Sequence, residues 1–216
     1  MSMASRVTRI ALVGLLGLLL PSIVCAQSSR AEARSGHWYI GGGFGGYSEE
    51  SNSQLTNQDA GAALFFSGGY RLSPYVAVEA DLLGWTQDFS TPASIAPGIL
   101  SSAEARTDLT TTGLAGIIKF YLPIGIVDMY GGGGLGFYAS HLFVEGTGSA
   151  SGSQINQTDS DFGYQLLLGA DVYVSKKISI GLEYRWLTIE TNFEPTIAGE
   201  LDVGGEFLLM SVRGHF

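Results

Sequence analysis

GAALFFSGGYRLSPYVAVEADLLGW, residues 61–85, alternates side-chain character with a period of two on both sides of a Ser73-Pro74 turn. In the first half Ala62, Leu64, Phe66, Gly68 and Tyr70 share one face, and Ala63, Phe65, Ser67, Gly69 and Arg71 share the other. In the second half Val76, Val78, Ala80 and Leu82 form an unbroken apolar row, with Ala77, Glu79 and Asp81 behind it. This spacing predicts a hairpin with one apolar face and one mixed face. A soluble sheet would put its charges on the solvent side. Here the charged face also carries Gly, Ala, Ser and Leu, which suits a narrow interior, and the wholly uncharged face suits lipid.

The gross properties agree with lipid. The chain has 216 residues, 45 % hydrophobic and only 14 % charged, with 31 glycines, which is one domain's worth of sequence and a low charge for a soluble surface. Residues 1–26 read as a cleaved secretory signal, with Arg6 and Arg9 ahead of an apolar run from Ile10 to Leu20 and small residues up to Ala26. The only cysteine, Cys25, lies within that segment, and Val24 before it is too large for a good lipoprotein cleavage site. The processed chain would have no disulfide, so a closed hydrogen-bonded sheet must supply stability. After residue 26 no uncharged apolar run reaches the ~18–20 residues of a spanning helix; the stretch from Gly113 to Val127 is broken by Lys119 and Pro123.

Outward from the hairpin the chain divides into a short leader, 27–36, and a repeating pattern over 37–216. Strands are expected at His37–Tyr47, on both sides of Ser73-Pro74, and at Leu109–Leu122, Val127–Ala139, Asp161–Val174, Ile178–Thr188 and Glu206–Phe216. Tight turns are expected at Pro123-Ile124-Gly125 and Ser175-Lys176-Lys177, with long polar loops at 48–59, 86–108, 140–160 and 189–206. Eight strands with alternating long and short connections give an all-β fold: an eight-stranded antiparallel up-and-down transmembrane β-barrel with short periplasmic turns and four long external loops. Aromatic residues gather near the strand ends, Trp38, Tyr70, Phe120 and Phe216 at one level and Phe44, Phe137, Phe162, Tyr164 and Trp186 at the other, as two interfacial belts would require. Tyr39–Tyr47, YIGGGFGGY, is echoed by Tyr130–Tyr138, YGGGGLGFY. These glycines resemble a nucleotide loop only in composition, because no helix follows and aromatics alternate through them, so they read as room for bulky lumenal neighbours.

These features resemble the eight-stranded outer-membrane β-barrel superfamily, in particular the transmembrane domain of the outer-membrane protein A family. The likeness is carried by GGYRLSPYVAVEA, KFYLPIGIVDMYGGGGLG, GADVYVSKKISIGLEYRW and the terminal SVRGHF. It implies that Phe216 is the terminal signal read by the barrel assembly machinery; the usual aromatic two positions earlier is Gly214 here. In that family a lumenal glutamate on strand three pairs with a strand-four lysine and exchanges to a strand-seven arginine. Glu79 and Lys119 fall on the first two positions, which makes them a candidate gate, while the arginine position is Gly181 and the nearest guanidinium is Arg185.

Strand parity alone assigns a lumenal ion-pair lattice of Arg71, Lys119, Arg185 and Arg213 against Glu79, Asp81, Asp171 and Glu183. An eight-stranded lumen is only wide enough for side chains to fill it, so these charges must pair. The expected long loops hold thirteen acids, Glu49, Glu50, Asp59, Asp88, Glu104, Asp108, Glu145, Asp159, Glu190, Glu194, Glu200, Asp202 and Glu206, against Arg106 alone. That surface repels nucleic acid and the phosphates of lipopolysaccharide unless divalent cations bridge, and it shows no calcium-loop spacing. No cofactor or metal motif is present. The expected function is a monomeric, lipid-embedded scaffold in the outer membrane, in contact with lipopolysaccharide and presenting acidic loops to an extracellular ligand for envelope integrity, adhesion or host interaction. One alternative is a low-conductance gated channel through Glu79 and Lys119. A second is a lipid A-modifying enzyme, which needs a Ser-His pair on the lipid face; the histidines are His37 and His215 near the periplasmic rim and His141 at a loop edge.

Overall fold

The computed structural model describes residues 34–48, 61–91, 105–146, 154–191, 201–202 and 204–216; the expected signal segment, most of the leader and much of the expected loops lie outside these residues. Eight long strands make up the described chain: β1 His37–Ser48, β2 Gly61–Ser73, β3 Val76–Thr91, β4 Ala105–Ile124, β5 Val127–Gly146, β6 Gln154–Tyr173, β7 Ile178–Thr191 and β8 Gly205–His215. A two-residue piece, Leu201–Asp202, extends the end of β7 by pairing with Glu190 and Thr191. Every strand pairs antiparallel with its neighbour in sequence, and β8 returns to pair with β1 from Tyr39↔His215 to Ser48↔Glu206. The sheet is therefore a closed barrel with no free edge around its waist.

Period-two alternation decides which side of the wall each residue takes. In the opening hairpin Phe65 and Leu83 are buried in the lumen, whereas Leu64 and Phe66 are 61 % and 65 % exposed. The same inversion runs around the ring, with Ile118, Leu135, Phe162, Leu182 and Met210 all facing outward. A continuous apolar belt of this size is unstable in water and stable against hydrocarbon. No helix among the described residues is long and apolar enough to cross a membrane; the strands supply the crossing.

The short connections sit where the sequence expects them, displaced by a residue or two. Ser73 Oγ accepts from the backbone N–H groups of Tyr75 and Val76 at 3.2 and 3.1 Å, closing the Pro74–Tyr75 turn. Pro123 and Ile124, expected in a turn, instead pair with Asp128 and Val127 as the last rungs of β4. The turn is Gly125–Ile126, with Gly125 at φ +63° supplying the left-handed residue a two-residue hairpin loop needs. Proline is tolerated there because its missing N–H falls at the strand end.

The long connections are shorter than expected. β4, β5 and β6 each run 20 residues, so Asp88, Asp108, Glu145, Asp159, Glu190 and Asp202 lie on strands rather than in loops, and Glu206 lies within β8. Beyond the bilayer a sheet can be polar on both faces, so polar composition does not mark a loop there, and threonine-rich stretches such as residues 107–112 favour extended backbone.

Candidate functional site in the barrel lumen

All eight residues assigned to the lumen by parity are buried inside the barrel. Seven of them form one connected lattice in the half nearest the short turns, and Arg71 pairs with Asp128 beside it. Lys119 on β4 reaches Glu79 on β3 at 2.8 Å and Glu183 on β7 at 3.1 Å, bridging carboxylates from opposite walls. Arg185 binds Asp81 at 2.6 Å and Glu183 at 2.5 Å, while Arg213 on β8 pairs with Asp171 on β6 and lies 3.3 Å from Glu183. Glu183 is thus the hub, a single carboxylate shared by three cations. Each charge is fully desolvated, so removal of one partner strands the other at a cost of about 3–5 kcal/mol.

Tyrosines complete the lattice, and they arrange it with approximate twofold symmetry. Tyr39 on β1 donates to Glu79 at 2.8 Å, and Tyr130 on β5 donates to Glu183 at 3.0 Å. The register is the same in both cases: Tyr39 pairs with Gly69 and Gly69 with Glu79, and Tyr130 pairs with Gly169 and Gly169 with Glu183. Each ring lies in the seat its glycine leaves open. A Cβ at Gly69 would fall 2.3 Å from Tyr39 Cζ, and one at Gly169 2.5 Å from Tyr130 Cζ. Since β1 and β5 stand opposite each other in a ring of eight, the sequence echo is a repeat of a four-stranded unit. The correspondence ends at the cations, since Lys119 lies two residues beyond Ile117, the partner of Glu79, whereas Arg213 lies four beyond Leu209, the partner of Glu183.

At Gly181, the strand-seven arginine position of the resemblance, a side chain would displace the Arg213–Asp171 pair. Its Cβ would meet Asp171 Oδ1 at 2.2 Å and Arg213 Nη1 at 2.8 Å. The guanidinium at that level arrives from β8 instead, as Arg213.

Two charged residues escape a count made by parity from the strand segments. Asp128, the second residue of β5, is fully buried and accepts from Arg71 at 2.5 Å. Arg34, in the leader, is its second partner. Parity in VDMYGGGG places Asp128 on the same face as Tyr130, so that signal was legible; Arg34 precedes any periodic segment and carried none. With both included, five cations, Arg34, Arg71, Lys119, Arg185 and Arg213, face five acids, Glu79, Asp81, Asp128, Asp171 and Glu183.

Above the lattice, towards the long connections, the lumen changes character. Trp85 stacks edge-on against Phe207 at 5.2 Å and Tyr138 at 6.1 Å between ring centres, and Tyr47 lies 4.8 Å from Phe207. Leu83, Leu109, Leu167, Leu187 and Ile189 fill the space around these rings, and each is buried. Polar groups are interspersed there: Thr111 and Ser140 share a hydrogen bond at 3.0 Å, the Tyr47 hydroxyl donates to the Gly204 carbonyl at 3.1 Å, and the Gln165 amide is buried opposite Leu187.

The histidines are dispersed. His37 is exposed and lies 3.1 Å from the Phe216 carbonyl, and His141 is exposed at the far end of β5. His215 Nε2 lies 2.9 Å from Ser179 Oγ, on the lumenal side of the turn-end rim rather than on the lipid face. Among the described residues no group of three or more His, Cys, Asp or Glu side chains could hold a metal ion.

Solved structures with the same architecture include the Neisserial surface protein A, with 18 % identity and a TM-score of 0.58, covering 84 % of this chain and 98 % of that one. OprG from Pseudomonas aeruginosa gives 16 % identity and a TM-score of 0.60, covering 86 % and 98 %. Ail, the attachment invasion locus protein of Yersinia pestis, in complex with the heparin analogue sucrose octasulfate, gives 10 % and 0.53, covering 84 % and 99 %. At such identities the likeness concerns the fold. None of the curated proteins matches the chain. Residues 16–212 match the family described as Outer membrane protein beta-barrel domain, and the chain, a closed eight-stranded barrel with an apolar outer belt, belongs to that family.

Proposed function

We propose that the chain is a surface-presenting scaffold of the Gram-negative outer membrane, with a lumen closed by its own side chains and its activity carried by the four connecting segments at the far end. The observation that carries this reading is the filling of the lumen at two levels, a neutral ion-pair lattice below and a layer of packed aromatic and aliphatic side chains above. Water and ions would have to displace both. The start of β1, the end of β8 and the short turns share one end, which supports a periplasmic position for that end. Ail, a structural neighbour, is the attachment invasion locus protein of Yersinia pestis, in complex with the polyanionic heparin analogue sucrose octasulfate. The acid-rich connections of this chain disfavour a polyanion and favour a cationic partner or one bridged by divalent ions.

The test is attachment of bacteria displaying the barrel to a layer of epithelial cells. Replacing residues 49–60, 92–104, 147–153 and 192–200 by two-residue turns is expected to abolish attachment while the barrel still shows heat-modifiable mobility. Attachment retained by the trimmed barrel would overturn the reading, as would attachment lost on Lys119→Ala in a barrel that keeps heat-modifiable mobility and all four segments.

A further inference from the structure

The turn-end mouth of the barrel contains a side-chain constellation that the lattice above it does not need. Arg34 leaves the base of β1 and reaches across the mouth to the β4–β5 turn. Its Nη1 pairs with Asp128, its Nη2 donates to the Gly125 carbonyl at 2.6 Å, and its guanidinium carbon lies 4.3 Å over the Tyr173 ring. A carboxylate, a carbonyl and an aromatic face converging on one planar cation are the three contacts that a guanidinium satisfies and an ammonium does not. The site is built into the wall. Asp128 is fully buried and is held by Arg71, whose own guanidinium lies 3.9 Å over Tyr121 and donates to the Pro74 carbonyl at 2.6 Å. The approach of the leader is also fixed: Gly36, at φ +73°, turns the chain, and its N–H donates to the Arg71 carbonyl at 2.8 Å.

We infer that Asp128, the Gly125 carbonyl and Tyr173 form a guanidinium-binding site at the turn-end mouth, occupied in cis by Arg34, which straps residues 34–36 across the opening. Arg34 supplies the fifth cation that balances Asp128, so the strap and the neutrality of the barrel are linked. The site does not depend on what the far end binds or on whether the lumen conducts.

The refolded barrel in detergent micelles tests this in two ways. Trypsin cleavage at Arg34–Ser35, followed by mass spectrometry, is expected to be slow in the native chain and about tenfold faster in Tyr173→Leu, as loss of about 1.4 kcal/mol of docking free energy would give. Equal rates would overturn the strap. In Arg34→Gly, which leaves the wall of the site intact, methylguanidinium is expected to raise the thermal unfolding midpoint saturably in the millimolar range, and methylammonium is not. Equal effects of the two cations, or none from either, would show that no guanidinium site exists there.

Discussion

Glu79 and Lys119 show how much one residue's meaning depends on its neighbours. The pair alone would be an exchangeable contact; in the structure Lys119 is also held by Glu183, and Glu79 by the Tyr39 hydroxyl. Lys119→Met leaves the Glu79 carboxylate buried with a single neutral donor and is expected to lower unfolding free energy by about 3–5 kcal/mol. Adding Glu79→Gln removes the stranded charge, so the double variant should be more stable than the sum of the two single losses predicts, by about 0.5–3 kcal/mol. Urea unfolding in lipid vesicles, followed by tryptophan fluorescence, measures all four chains; strict additivity would contradict the pairing. Parity alone identified both residues as lumenal. Glu183 as the hub was not legible, because three cations converge on it from β4, β7 and β8, and a one-dimensional pattern carries no cross-lumen distances.

At the scale of the element, the glycines of β2 and β6 that face the tyrosines of β1 and β5 do a different job from their outward neighbours. Lumenal glycines such as Gly69 and Gly169 seat tyrosine rings, whereas outward Gly68 has open space where its Cβ would project. Gly69→Ala and Gly169→Ala are expected to destabilise the barrel by about 1–3 kcal/mol each, because the ring that carries the hydrogen bond to Glu79 or Glu183 must move. Gly68→Ala, one residue away, is expected to be neutral or stabilising by up to about 1 kcal/mol through the unfolded chain. Equal losses at Gly68 and Gly69 in urea unfolding would remove the distinction. The existence and facing of the strands were legible because the apolar belt imposes period two. Their ends were not: Pro123 reads as a breaker although it closes a rung, and the polar extensions of β4, β5 and β6 pair in a region where no lipid enforces alternation.

On the scale of the molecule, the barrel joins an apolar exterior to an interior that is neutral by pairing rather than by composition. Ten charged groups cancel in the turn-end half, and aromatic packing takes over in the other. A plug of one kind would open when one residue is removed. Two plugs of different chemistry in series should not, since the layer around Trp85 does not rest on Lys119. The fold class followed from strand periodicity, whereas the aromatic layer was hidden among residues that individually suit a bilayer belt as well as a core. Single-channel recording of the refolded mature barrel in a planar bilayer, beside Lys119→Ala, tests the closed lumen most directly. Silence from both chains is the expected result, and small discrete openings in the native chain that change size or lifetime in Lys119→Ala would contradict it and make Glu79 and Lys119 a gate.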